Sequence, residues 1–152
     1  MAHAKTQIRD AVVTALGGLT TTGSRVYPSR VHDLPQNFSP SLLVYTPAEQ
    51  IADDEDKPLG RPRKVFRTVT VVIEGHATDP DGSDLEDLLD TIDAEVTAAL
   101  GNSLLGGLVK DLYHVSSETE LGAEGAKPAG RIDMTWEADY RTLENDAETI
   151  IS

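Results

Sequence analysis

The side chains able to do chemistry are few in kind. Cysteine is absent, which excludes a disulfide scaffold, a cysteine-ligated zinc or iron–sulfur centre and a thiol nucleophile. The four histidines are His3, His32, His76 and His114. They show no ligand spacing such as i, i+4 on one helix, and only neighbouring strands would bring His76 and His114 together. Isolated histidines of this kind are most simply surface or cross-strand residues. Asp79, Asp81, Ser83 and Asp84 resemble a calcium loop at first sight. The EF-hand loop needs glycine at its sixth place and glutamate at its twelfth. Counted from Asp79, Gly82 is fourth and Asp90 stands twelfth. A turn followed by a helix N-cap accounts for these residues better. No Gly-x-Ser-x-Gly elbow occurs, nor a phosphate-binding loop ending in Gly-Lys-Ser/Thr. The expectation is a protein with no catalytic residue, no cofactor and no required metal, and so not an enzyme.

The remaining feature is a block of charge. Asp53, Asp54, Glu55 and Asp56 are followed by Lys57, Arg61, Arg63 and Lys64, with Pro58, Gly60 and Pro62 between them. No hydrophobic period runs through residues 47–64. A connection of that length is usually functional or disordered, and here it reads as a protruding arm. Its two signs of charge suit the same arm on a neighbouring subunit. Exposed ion pairs are each worth about 0–1 kcal/mol, so such an arm supplies register more than affinity. The whole chain is acidic, with 26 acidic and 13 basic residues and a net charge of −13. That balance argues against general or sequence-specific nucleic-acid binding and against adhesion to an anionic membrane. No apolar run approaches the ~20 residues of a membrane span.

The elements that hold these residues follow from periodicity. Ile8, Val12, Leu16 and their neighbours form one stripe of a helix over about 4–16, ended by Gly17 and Gly18. Val26 and Tyr27, before Pro28, make a short edge piece. Leu42 to Tyr45, between Pro40 and Pro47, read as a buried strand. Residues 65–77 alternate as a strand with Arg67 the exception on its apolar side. That strand should carry a bulge or project from the sheet toward the charged loop. Ser83 and Glu86 suggest a capping box for a helix whose apolar face is Leu85, Leu88, Leu89, Ile92, Val96 and Leu100. Residues 108–121 read as an irregular strand, and 122–130 as a loose loop. Ile132, Met134, Trp136, Ala138 and Tyr140 alternate with Arg131, Asp133, Glu137, Asp139 and Arg141, a strand with one polar face. The fold class expected is α+β: a two-layer domain over 1–142, mainly an antiparallel sheet with two helices on one face and a long protruding hairpin. Residues 143–152 read as an acidic tail.

Several of these stretches together resemble a known family. They are Thr6 to Val12, then Arg25-Val26-Tyr27-Pro28-Ser29-Arg30-Val31, then Ser41-Leu42-Leu43-Val44-Tyr45-Thr46. The strand Arg67-Thr68-Val69-Thr70-Val71-Val72-Ile73 follows, then the acidic helix Asp84 to Leu89 and a last strand ending in Tyr140-Arg141-Thr142. This resembles the tail terminator and tail-completion proteins of long-tailed bacteriophages, over nearly the whole chain in element order. The resemblance implies a structural virion protein at the tail neck, made and assembled in the bacterial cytoplasm. It implies a homo-oligomeric ring, six-fold, that caps the tail tube, ends polymerisation of the major tail tube protein and docks the head connector. The interface expected comprises Asp53, Asp54, Asp56, Lys57, Arg61, Arg63 and Lys64 of the arm, and Arg131, Asp133, Glu137, Asp139 and Arg141 of the last strand. The alternatives are another neck protein, for head closure or head–tail joining, and a small ligand-binding or enzymatic domain.

Overall fold

The computed structural model describes residues 2–28, 40–53, 62–78, 84–124 and 127–151. Helix α1 spans Ala4–Leu16 and helix α2 Leu85–Leu100. Six strands run through the rest: β1 Val26–Tyr27, β2 Ser41–Asp53, β3 Lys64–Thr78, β4 Asp111–Glu124, β5 Lys127–Leu143 and β6 Asp146–Ile151. The sheet order is β1-β2-β3-β5-β4, with β6 also on β5. All pairings are antiparallel except β1 with β2. The class is α+β, as the sequence predicts.

Both helices bury their stripes on one face of the sheet. Ala4, Ile8, Val12 and Leu16 of α1, and Leu85, Leu89, Ile92, Val96 and Leu100 of α2, meet Val69, Val71, Ile73, Met134, Trp136 and Tyr140 in one core. Leu88 is only half-buried at its margin. Two glycines let α2 lie close to the strands. A Cβ on Gly75 would stand 2.9 Å from methyls of both Ile92 and Ile132, and one on Gly130 would stand 2.8 Å from a Leu89 methyl. Either substitution would force those side chains, or the helix that carries them, to shift. The α1 N-cap is His3, whose Nδ1 accepts from the Lys5 amide at 3.0 Å. At α2 the N-cap position is Asp84, one residue later than the expected Ser83, and its side chain makes no capping bond; Ser83 itself lies outside the described residues.

Four expectations about the strands need correction. β2 does not stop at Pro47 but runs on to Asp53, because the register shifts between Tyr45 and Ala48. A bulge there absorbs the missing proline donor. The expected loop over 47–64 is thereby shortened to its middle, and residues 54–61, with Asp54, Asp56, Lys57 and Arg61, lie outside the described residues. β3 neither bulges nor projects alone. It pairs with β5 in unbroken register from Lys64↔Leu143 to Thr78↔Ala129, so the whole of its roughly 50 Å length is accompanied. The loose loop over 122–130 is a second hairpin, with Glu124 opposite Lys127. The expected tail holds β6, which adds to β5 beyond the start of β4, so that β4 and β6 share one edge of β5. The Gln7 amide ties this end back to α1, donating to the carbonyls of both Ala2, at 2.9 Å, and Glu148, at 2.6 Å.

Candidate interaction surface

The alternation of β5 sends its even residues into the core and its odd residues to the opposite, outer face. Arg131, Asp133, Glu137, Asp139 and Arg141 are accordingly brought together there, each half-buried among cross-strand neighbours. Asp139 lies between Thr68 and Asp111, Glu137 between Thr70 and Tyr113, Asp133 between Glu74 and Glu118, and Arg131 between His76 and Glu120. Lys64 shares this face at the end where the Arg141 guanidinium stands 6.0 Å from the Phe66 ring centre. At the same end the root of the hairpin is pinned. The Arg63 amide donates to Glu144 Oε1 at 3.2 Å, and the Glu144 amide donates to the Arg63 carbonyl at 2.8 Å. The root of the arm and the polar strand face, expected as separate surfaces, therefore adjoin at the end of the sheet where Lys64 pairs with Leu143 and Phe66 with Arg141. Asp53 closes β2 opposite Val65.

The middle of this face is strained electrostatically. Asp111 and Asp139 are direct cross-strand partners, and like charges so placed repel. Burial raises the Asp139 carboxyl above its ordinary range, with Asp111 and Glu137 adding to the shift. A 2.8 Å bond from the Thr68 hydroxyl opposes it. The Tyr113 hydroxyl donates to Glu137 Oε2 at 2.7 Å, and that bond, with burial and the nearby carboxylates, pushes the phenol up to about 12. Toward the other end, burial also raises Asp133, although Arg131 Nε approaches its Oδ1 at 3.2 Å. Arg131 Nη2 pairs more closely with Glu120, at 2.7 Å. Its neighbour Glu74 goes the opposite way. Burial alone would raise it, but hydrogen bonds from Tyr45 and His76, with the charges of His76 and Arg131, hold it below the usual carboxylate range. The result is a two-signed surface, basic at Lys64 and Arg141, acidic across Asp111, Glu137 and Asp139, and mixed around Arg131.

Sequence reasoning missed a second polar group, on the helix side beyond the apolar core. Arg67 Nη1 donates to Glu49 Oε1 at 2.9 Å and its Nε donates to the Thr142 hydroxyl at 2.8 Å, while Tyr140 also donates to Glu49. Arg67 and Glu49 side chains are 8% and 7% exposed. An ion pair at that depth gains little net stability, but removing one partner strands the other charge, at about 3–5 kcal/mol. The signal was Arg67, a cation in step with valines. Its partner stayed hidden because Pro47 made Glu49 read as loop. The histidines do not converge. His76 bonds Glu74 on the outer face, and His114 stacks on Trp136 on the other, with ring centres 4.7 Å apart. Among the described residues no group of three or more His, Asp or Glu side chains is arranged to hold a metal ion, and no helix is long and apolar enough to cross a membrane. The turn over 79–83 lies outside the described residues.

No family model matches the chain, and no curated protein matches it. Among solved structures it is similar to a chain of the virion of a native gene transfer agent (GTA) particle. The identity is 19%, 92% of each chain is covered and the TM-score is 0.41. A likeness of that degree assigns neither a role nor a partner.

Proposed function

We propose that this protein is a tail terminator of a phage-like particle. It is a non-enzymatic structural subunit that forms a ring, six-fold by the family resemblance, on the end of the tail tube and offers its far side to the head connector. The observation that carries the reading is the outer face of the sheet. It is free of helices among the described residues, it runs the length of β5, and it adjoins the root of the charged hairpin. Such a face, with carboxylates held against one another at Asp111, Glu137 and Asp139, gains when a basic partner approaches. The partner in this reading is the tube or the connector. No cofactor or metal is needed for that role.

The test uses a tail-tube subunit that polymerises on its own. Replacing residues 54–61 by Asn-Gly, which with residues 62–64 leaves a five-residue hairpin connection, should leave the subunit folded, because the ladder below it ends at Asp53↔Val65. Electron microscopy should show the full chain capping tubes at a defined length, and the shortened chain leaving tubes of uncontrolled length. Equal capping by both would remove the hairpin from the interface. Failure of the full chain to cap or shorten tubes would overturn the terminator reading.

A further inference from the structure

The two ends of the sheet are unequal to the rest of the molecule. Among the described residues β4 pairs with β5 alone, and from Tyr113 to Gly122 it is exposed on both faces. At the other end, β1 covers β2 only at Leu42 and Leu43, so Ala48 to Ala52 have β3 as their one strand partner among the described residues. The exposed large apolar side chains collect at these places. Tyr113, Val115 and Leu121 are on β4 and Ile51 is on β2, with Leu104 the exception. Edge strands are usually guarded by charged side chains, proline or bulges; β4 has no lysine or proline between Asp111 and Gly122, and its guards are Glu118, Glu120 and the bulge at Val115.

We infer that the open edge of β4 receives the distal half of β2 from a second copy of this chain, continuing the sheet from subunit to subunit. Strand direction permits it. β2, β3, β5 and β4 alternate, so a copy added in the same sense brings its β2 antiparallel to β4. Side-chain chemistry selects it. The acids of β4, Glu118 and Glu120, point to the outer face, where β2 presents Ala48, Gln50 and Ala52 and no carboxylate. With Gln50 opposite Ser116, His114 would meet Ile51 on the helix side, while Glu49 is already held by Arg67 and Tyr140. Pairing β4 with β4 of another copy would instead set Glu118 and Glu120 against themselves, which antiparallel ladders penalise. A head-to-tail contact of this kind uses two different surfaces, and repeats until it closes. The inference deepens the proposed ring, and rests on that reading only for closure at the tube.

Because the chain has no cysteine, engineered ones report cleanly. Gln50→Cys and Ser116→Cys both lie exposed on the outer face. In purified protein raised in concentration and salt, the double variant treated with a short bismaleimide should give a ladder of products beyond the dimer. Each single variant should stay uncross-linked, and adding Val115→Lys, at an exposed edge position, to the double variant should abolish the ladder without changing its thermal melt. Dimers from Ser116→Cys alone would show β4 pairing with itself and overturn the inference. So would the absence of a ladder, whether the protein stays monomeric or forms rings by other surfaces. Rings without the ladder leave the terminator reading standing. A ladder with no capping of tubes leaves the edge pairing standing and removes the terminator.

Discussion

Single side chains decide the character of the outer face, and Asp139 is the plainest case. It lies opposite Asp111 and beside Glu137, and its carboxyl is raised by burial and by those charges. A raised carboxyl binds its proton more tightly in the folded state. The ionised form therefore costs stability above the folded pKa, and the cost disappears as pH falls below the unfolded value. Asp139→Asn should stabilise the subunit near pH 7, by less than about 1 kcal/mol because the site is partly solvated. The gain should fade toward about pH 3, where aspartate is mostly protonated anyway. Thermal melts of both proteins at the two pH values measure this. A variant less stable than the parent near pH 7 would mean that the Thr68 bond outweighs the repulsion. This pattern of carboxylates was readable from alternation alone. The opposing Asp111 was not, because register is a property of two strands and the bulge at Val115 resets it.

Among the elements, the helices were the most legible. Their 3–4 residue spacing needs no partner to be seen, and both stripes are buried as expected. Leu89 is fully buried and stands over Gly130, so Leu89→Ala should cost about 2–5 kcal/mol. Urea unfolding reads it, and an unchanged midpoint would show that the α2 stripe is misassigned. The strands were less legible, for three physical reasons. Pro47 is a strand breaker by rule, yet a bulge accommodates it and the ladder continues. Gly122 to Gly130 has loop composition, but it forms a hairpin because β4 and β5 are already aligned on either side. Asp146 to Ile151 has too little apolar pattern to form a strand alone, and does so on an edge of β5 that β4 leaves vacant. In each case long-range pairing overrides local preference.

For the molecule as a whole, the sequence anticipated one α+β layer pair and a polar face, and left unread which residues would face each other across the strands. A net charge of −13 per chain opposes the gathering of copies, so the proposed assembly should respond to ionic strength. The meeting of Ala2 and Glu148 on one Gln7 amide has a different kind of consequence. Their carbonyls lie within a hydrogen bond of the same nitrogen, so the path of the chain returns almost to where it set out, and any flanking polypeptide would leave the body from one corner. The order in which the elements are written is then nearly arbitrary, and the protein should tolerate circular permutation. Joining residue 151 to residue 2 by about six Gly/Ser residues, a linker reaching roughly 13 Å, and opening the chain within 54–61 should give a cooperatively unfolding protein with the parent's far-UV spectrum. If the protein acts on tail tubes as proposed, a permutant that is folded but inert toward them would divide the molecule into a body indifferent to its starting point and a hairpin that works only while its chain is unbroken.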